Sequence, residues 1–230
     1  MRFTFFEDFL ALVFPQTCCG CKKSLFSFEN QICKLCIADL PVTTYHYRTE
    51  NNDLTIKIQG LTRVRKAISF LRFTSGGLSK RLLHQLKYKN KPELGVELGK
   101  IYGYRLIDSG IEIDWDEIIP VPLHPLKLKR RGYNQSERFA AGLSLALDIP
   151  VSHELRRIKY TETQTRKSRI QRWENVKEVF SIIDNQTLIN KKILLVDDVM
   201  TTGATLAACA NVLLKSDVCS VDLAVIAAGR

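Results

Sequence analysis

Residues 191–205 read Lys-Lys-Ile-Leu-Leu-Val-Asp-Asp-Val-Met-Thr-Thr-Gly-Ala-Thr. Four consecutive apolar residues, Ile193 to Val196, suit a parallel strand buried on both faces. Two acids follow at its carboxyl end. A short run of small and hydroxylated residues then leads into a helix. In an open parallel sheet, ligands bind beyond the carboxyl ends of the strands, so Asp197 and Asp198 are placed to accept hydrogen bonds from ligand hydroxyls. Backbone N–H groups at a helix N-terminus cradle a phosphate, and the helix dipole favours its charge. Gly203 lets the backbone approach closely, and Thr201, Thr202 and Thr205 add hydroxyl donors. Met200 and Ala204 complete the candidate segment. A diol reader beside a monophosphate cradle suits a ribose 5-phosphate. Either half alone reads equally well as a buried strand with solvated acids, or as an ordinary capped turn. Joined in this order, the two halves are specific.

Working outward, strands and helices alternate. Val64 to Phe73 predicts a strand or hairpin. Leu78, Leu82, Leu83 and Leu86 form a helix face, and a second helix runs from Pro92, a good first-turn residue, to Ile107. Glu117 to Val121 is a buried strand entering a Pro-Val-Pro turn. Gln135 to Leu147 is helical with Asn134 as its N-cap. The Thr201–Thr205 loop opens a helix to about Leu214, and Ser220 to Ala227 closes as a strand. This order predicts a three-layer α/β domain with a largely parallel sheet over residues 62–230.

The segment around Asp197 resembles the phosphoribosyl-pyrophosphate motif of type I phosphoribosyltransferases. The resemblance implies that Asp197 and Asp198 meet the ribose hydroxyls, that the following loop binds the 5-phosphate, and that the ligand arrives with Mg2+. A second strand and turn then supplies a candidate pyrophosphate loop: Val121, Pro122 and Leu123, with Lys127, Lys129, Arg130 and Arg131 holding the anion by charge and by bidentate contacts. A solvated basic loop is the alternative. The stretch from Arg156 to Arg172 is basic, hydroxyl-rich and without apolar periodicity. It reads as a lid or as a disordered insert, with Arg166, Lys167, Arg169 and Arg172 as lid or nucleic-acid contacts.

The Pro-Val-Pro-Leu-His turn at 120–124, Arg-Arg-Gly-Tyr-Asn-Gln at 130–135, and Thr163-Gln164 followed by Arg172, Asn175-Val176 and Phe180 together resemble the ComF family of late-competence proteins. Position 133 is Tyr where Phe is the more usual residue. The family resemblance implies a role in natural transformation, in handling incoming single-stranded DNA, beside other competence or DNA-uptake proteins and through them the inner membrane surface. It supplies no acceptor base.

Seven cysteines are unevenly placed, five of them between Cys18 and Cys36. Cys18/Cys21 and Cys33/Cys36 are two C-x-x-C pairs able to give four thiolates to one tetrahedral Zn2+; Cys19 is the spare. A redox dithiol and buried structural thiols are the competing readings; the usual βαβ context of the redox dithiol is absent. A unit this small cannot bury a sizeable core, so the metal would replace one. Residues 1–45 are therefore read as a zinc module, opened by a short amphipathic helix from Met1 to Phe14, and residues 46–61 as a polar linker. An odd cysteine count with no export signal points to a reducing cytoplasm. The composition is that of a soluble globular protein, with 45% hydrophobic and 25% charged residues. The net charge of +10 favours anionic partners. Two functions fit: an enzyme transferring the phosphoribosyl group to an acceptor, or a binding module that holds phosphoribosyl pyrophosphate while the basic surface takes single-stranded DNA.

Overall fold

The computed structural model describes residues 15–158 and 179–229. The strands are β1 (Ala67–Arg72), β2 (Glu117–Pro120), β3 (Leu155–Arg157), β4 (Phe180–Ile182), β5 (Lys192–Met200) and β6 (Ser220–Ala228). The helices are α1 (Lys34–Ala38), α2 (Asp53–Gln59), α3 (Leu78–Tyr88), α4 (Pro92–Asp108), α5 (Pro125–Arg131), α6 (Gln135–Leu147) and α7 (Ala204–Leu213). Four strands make one sheet in the order β1-β6-β5-β2, and every neighbouring pair is parallel.

Side-chain alternation along the strands splits the core into two layers. Ile68, Phe70, Leu194, Val196 and Ile226 join Leu82 and Leu86 of α3, Leu98 and Tyr102 of α4, and Phe139 of α6. On the other face, Ile193, Leu195, Leu223 and Val225 meet Leu54 and Ile58 of α2 and Leu206 and Leu213 of α7. This is the three-layer α/β architecture with a parallel sheet that the sequence predicts. Helices α4 and α6 touch backbone to backbone. A Cβ on Gly99 would lie 2.8 Å from Gly142 Cα, and one on Gly142 would lie 2.1 Å from the Val96 carbonyl oxygen. That approach leaves no room for a side chain at either position.

Three local differences from the sequence reading have physical causes. Strand β5 does not stop at Val196: Val199 and Met200 stay in register with Ala227 and Ala228, so the two acids lie inside the strand. The linker at 46–61 is structured, because Asn52 caps α2 by accepting from Leu54 N–H at 2.8 Å and Thr55 N–H at 3.1 Å, and Leu54 and Ile58 are buried. The basic loop after β2 is a helix, α5, opened by Pro125 and closed by Gly132 at φ 82°. Of the two readings of the segment before α3, strand or hairpin, the structure has the strand, β1. Strands β3 and β4 pair antiparallel and bring the two ends of the 158–179 segment side by side.

The cysteine module docks without a gap. Cys18, Cys19, Ile32, Cys33, Cys36 and Leu40 belong to the same buried cluster as Phe70 and Leu82. Thr43 N–H donates to the Phe70 carbonyl and Arg72 N–H to that of Pro41. Among the described residues, no helix is long and apolar enough to cross a membrane. The amphipathic helix expected from Met1 to Phe14 lies outside the described residues.

Candidate functional site

At the carboxyl end of the sheet, Asp197 and Asp198 have different partners. Ser136 Oγ, in the first turn of α6, donates to Asp197 at 2.8 Å, and the Asp198 backbone N–H donates to the same oxygen at 2.8 Å. Lys87, in the last turn of α3, forms an ion pair with Asp198 at 3.0 Å. Burial and the neighbouring Asp198 charge push the Asp197 carboxyl up to about 7. The two N–H and O–H donors and Lys87 oppose that rise without cancelling it.

The expected phosphate loop follows at once. Gly203 sits at φ 81° and caps α7. A Cβ there would lie 2.8 Å from Ile58 Cδ1 and 3.1 Å from Met200 Cε. The glycine is thus required by its conformation and by its packing on α2. Thr201 is exposed, and Thr202 and Thr205 are half-buried. Met200 and Ala204 are buried, so they can offer a ligand only backbone groups. The first amides of α7 lack intrahelical acceptors, as at any helix start.

The expected pyrophosphate segment reaches the same end of the sheet. Val121 N–H donates to the Val196 carbonyl at 2.8 Å, and the Val121 carbonyl accepts from Asn134 Nδ2 at 2.9 Å. Asn134 also caps α6 through Ser136 N–H, which sets Ser136 on Asp197. Lys129 and Arg130 are exposed on α5. Arg131 bonds Gln135 at 2.7 Å and lies over the Tyr88 ring at 5.7 Å, while its Nε is buried without a hydrogen bond. Burial and the charges of Arg157, Arg131, Arg130 and Lys87 hold the Lys127 ammonium below its ordinary range. Cations crowded in this way are stabilised by an anion.

Lys87 and Ser136 were not singled out from the sequence, and Arg157 was read only as part of the basic stretch beginning at Arg156. Ser136 follows the basic stretch of α5, but its bond to Asp197 joins residues 61 positions apart and is made only in the fold. Lys87 lies on a helix far away in sequence, and nothing local marks it. Tyr133 uses the hydroxyl that distinguishes it from Phe: it donates to the Leu86 carbonyl and accepts from Lys91 N–H at 3.2 Å, tying the end of α3 to the start of α4. Arg166, Lys167, Arg169 and Arg172 lie outside the described residues.

The sulfur atoms of Cys18, Cys21, Cys33 and Cys36 all fall within 4.8 Å of one another, and Cys21 and Cys33 are 3.7 Å apart. Zn–S bonds of about 2.3 Å in a tetrahedron place sulfurs about 3.8 Å apart. Backbone N–H groups of Gly20 and Cys33 donate to Cys18 Sγ at 3.3 and 3.2 Å, the pattern that supports a thiolate. These four residues fit a structural zinc. Cys19 is not one of this group of sulfurs; it is buried, and burial pushes its thiol up.

The chain is similar to several known proteins. The phosphoribosyl transferase domain family matches residues 134–230. Competence protein F of Haemophilus influenzae is 40% identical over 102 residues, covering 44% of each chain. DNA utilization protein YhgH of Escherichia coli O157:H7 is 31% identical over 147 residues, covering 62% of this chain and 63% of that one. These two matches therefore span less than two thirds of the relatives' own lengths. Competence protein ComFC of Bacillus subtilis is 25% identical over 208 residues, covering 87% of this chain and 78% of its own. Among solved structures, adenine phosphoribosyltransferase of Saccharomyces cerevisiae aligns at a TM-score of 0.40 with 17% identity, over 60% of this chain and 69% of that one.

Proposed function

Because the chain belongs to the ComF family of competence-associated proteins with a phosphoribosyltransferase domain, we propose that it binds Mg2+-phosphoribosyl pyrophosphate and handles incoming single-stranded DNA in natural transformation. One observation supports the ligand most directly: a single strand end carries the acid pair and the helix-capping loop, and faces the cations Lys87, Lys127 and Arg131. Asp197 and Asp198 would accept from the ribose 2- and 3-hydroxyls. The amides of α7 and the hydroxyls of Thr201, Thr202 and Thr205 would hold the 5-phosphate. Val121, Pro122 and Leu123 would offer backbone groups to the pyrophosphate, with Lys129, Arg130 and Arg131 neutralising its charge. Mg2+ would screen the same phosphates. The four-cysteine cluster would hold Zn2+ in a structural role. The names of the relatives support the DNA half of the proposal.

Calorimetry with phosphoribosyl pyrophosphate and Mg2+ tests the ligand. Asp197→Ala/Asp198→Ala should abolish measurable binding while leaving circular dichroism unchanged. Equal affinities of wild type and variant would remove the site. Pyrophosphate release in the presence of a panel of bases separates a transferase from a binding module.

A further inference from the structure

We propose that the Phe26–Glu29 turn of the cysteine module, with Lys34, is a base-stacking platform for single-stranded DNA; the proposal rests on the DNA reading above and gives that partner a site. Phe26 and Phe28 leave 67% and 63% of their surface open, and their rings stack on each other at 5.5 Å and 10°. A small module that needed these rings for its own core would have turned them inward.

The turn is held rigidly. Glu29 N–H donates to the Phe26 carbonyl at 2.9 Å. The Glu29 carboxylate accepts from the backbone N–H groups of Phe26 at 3.0 Å and Lys34 at 2.7 Å. Those two bonds hold the carboxyl below its usual range and direct its charge at amides. Lys34 Nζ lies 4.5 Å from the centre of the Phe28 ring, leaving its charge beside the aromatic face. Lys22 and Lys23 are exposed on the adjoining knuckle, and Leu35 is 71% exposed beside Lys34. The N-cap of α1 is Cys33, one of the four clustered cysteines, so the knuckle that would hold zinc also sets the platform.

Rings interleaved with lysines match the chemistry of an unpaired strand: every base offers a π-face and every linkage a phosphate. Arginine-rich and lysine-rich segments elsewhere supply charge, whereas this turn adds exposed, preorganised aromatic faces.

The test titrates the whole zinc-loaded chain with oligothymidine carrying one 2-aminopurine, across a series of KCl concentrations. Wild type should bind and quench the probe on stacking. Phe26→Leu/Phe28→Leu should lose about tenfold in affinity per ring, with an unchanged salt slope and full zinc content. Phe26→Tyr/Phe28→Tyr, which keeps both rings, should bind as wild type does. Lys34→Gln should instead flatten the salt slope by about 0.7, the signature of one lost phosphate contact. Equal affinities of wild type and the leucine pair would overturn the platform and leave DNA binding standing elsewhere. A tyrosine pair as weak as the leucine pair would overturn it too. No oligonucleotide binding by wild type would overturn both the platform and the DNA reading.

Discussion

Burial of Asp197 beside Asp198 disfavours its ionised form, so the folded state depends on pH. Its folded-state pKa of about 7 stands above the roughly 3.9 of an unfolded aspartate. The folded state therefore holds more protons across that window. The associated stability is complete below about pH 4 and is lost as pH rises through 7. Chemical denaturation from pH 4.5 to 8 should show the wild type weakening towards the alkaline end. Asp197→Asn, neutral throughout, should lose that slope and be the more stable protein at pH 8. A parallel pH profile for the variant would contradict the assignment. Ligand binding runs the other way. Ribose hydroxyls donate to a carboxylate, so affinity for phosphoribosyl pyrophosphate should fall about tenfold per pH unit below 7. Lys87 and Ser136 moderate the conflict by holding each acid separately.

Helices α4 and α6 show how an element far from any ligand positions a site. Gly99 and Gly142 allow contact between the two backbones. Alanine at 142 would gain about 1 kcal/mol of helix propensity and would drive a methyl into the Val96 carbonyl. Overpacking of this kind costs about 1–3 kcal/mol, and here backbone must move rather than a side chain. Gly142→Ala should lower the Tm by several degrees and weaken ligand binding, because Ser136 and Asn134 ride on the same helix. An unchanged Tm would show that the helices have room to separate. The sequence made much of this level legible. Gln135–Leu147 and its Asn134 cap are both present as read, because a side-chain cap and a 3.6-residue period are local signals. The order of strand, loop and helix at 192–213 was legible because it is contiguous in sequence. Three things were not. Helix α2 follows a polar run, and its apolar residues Leu54, Ile56 and Ile58 alternate as in a strand, with Ile56 exposed, so no helical period marks it. Helix α5 looked like a loop because its charges mask its Pro125 start and Gly132 stop. Lys87 reaches Asp198 only through the tertiary fold.

At the scale of the whole molecule, the cysteine module and the α/β domain share one core, so loss of metal should not be a local event. Protein purified without added metal should contain one zinc per chain. Cys33→Ser should lose it, and Cys19→Ser should keep it, by elemental analysis. A chelator should lower the Tm of a single cooperative transition, with no separate early step for the module; two resolved transitions would show that the module unfolds alone. The opposite end of the sheet is tied by charge. Buried Asp222 accepts from Arg65 at 2.8 Å, Trp115 Nε1 at 2.8 Å and Lys66 N–H at 2.9 Å. Asp114 joins through Arg65 and Lys192, and Arg65 holds the Asp114 carboxyl well below the usual range. All but one of these groups belong to, or adjoin, strands that flank β6 or lie beyond them. Strand β6 itself lies between β1 and β5, although it is made after both. During synthesis on the ribosome, β1 and β5 therefore emerge without the strand that joins them. The nascent chain must wait, with two sheet edges open to other chains, until residues 220–228 leave the exit tunnel. A chain stopped at Cys219 should accumulate in the insoluble fraction or bound to chaperones, however intact its ligand-binding residues remain.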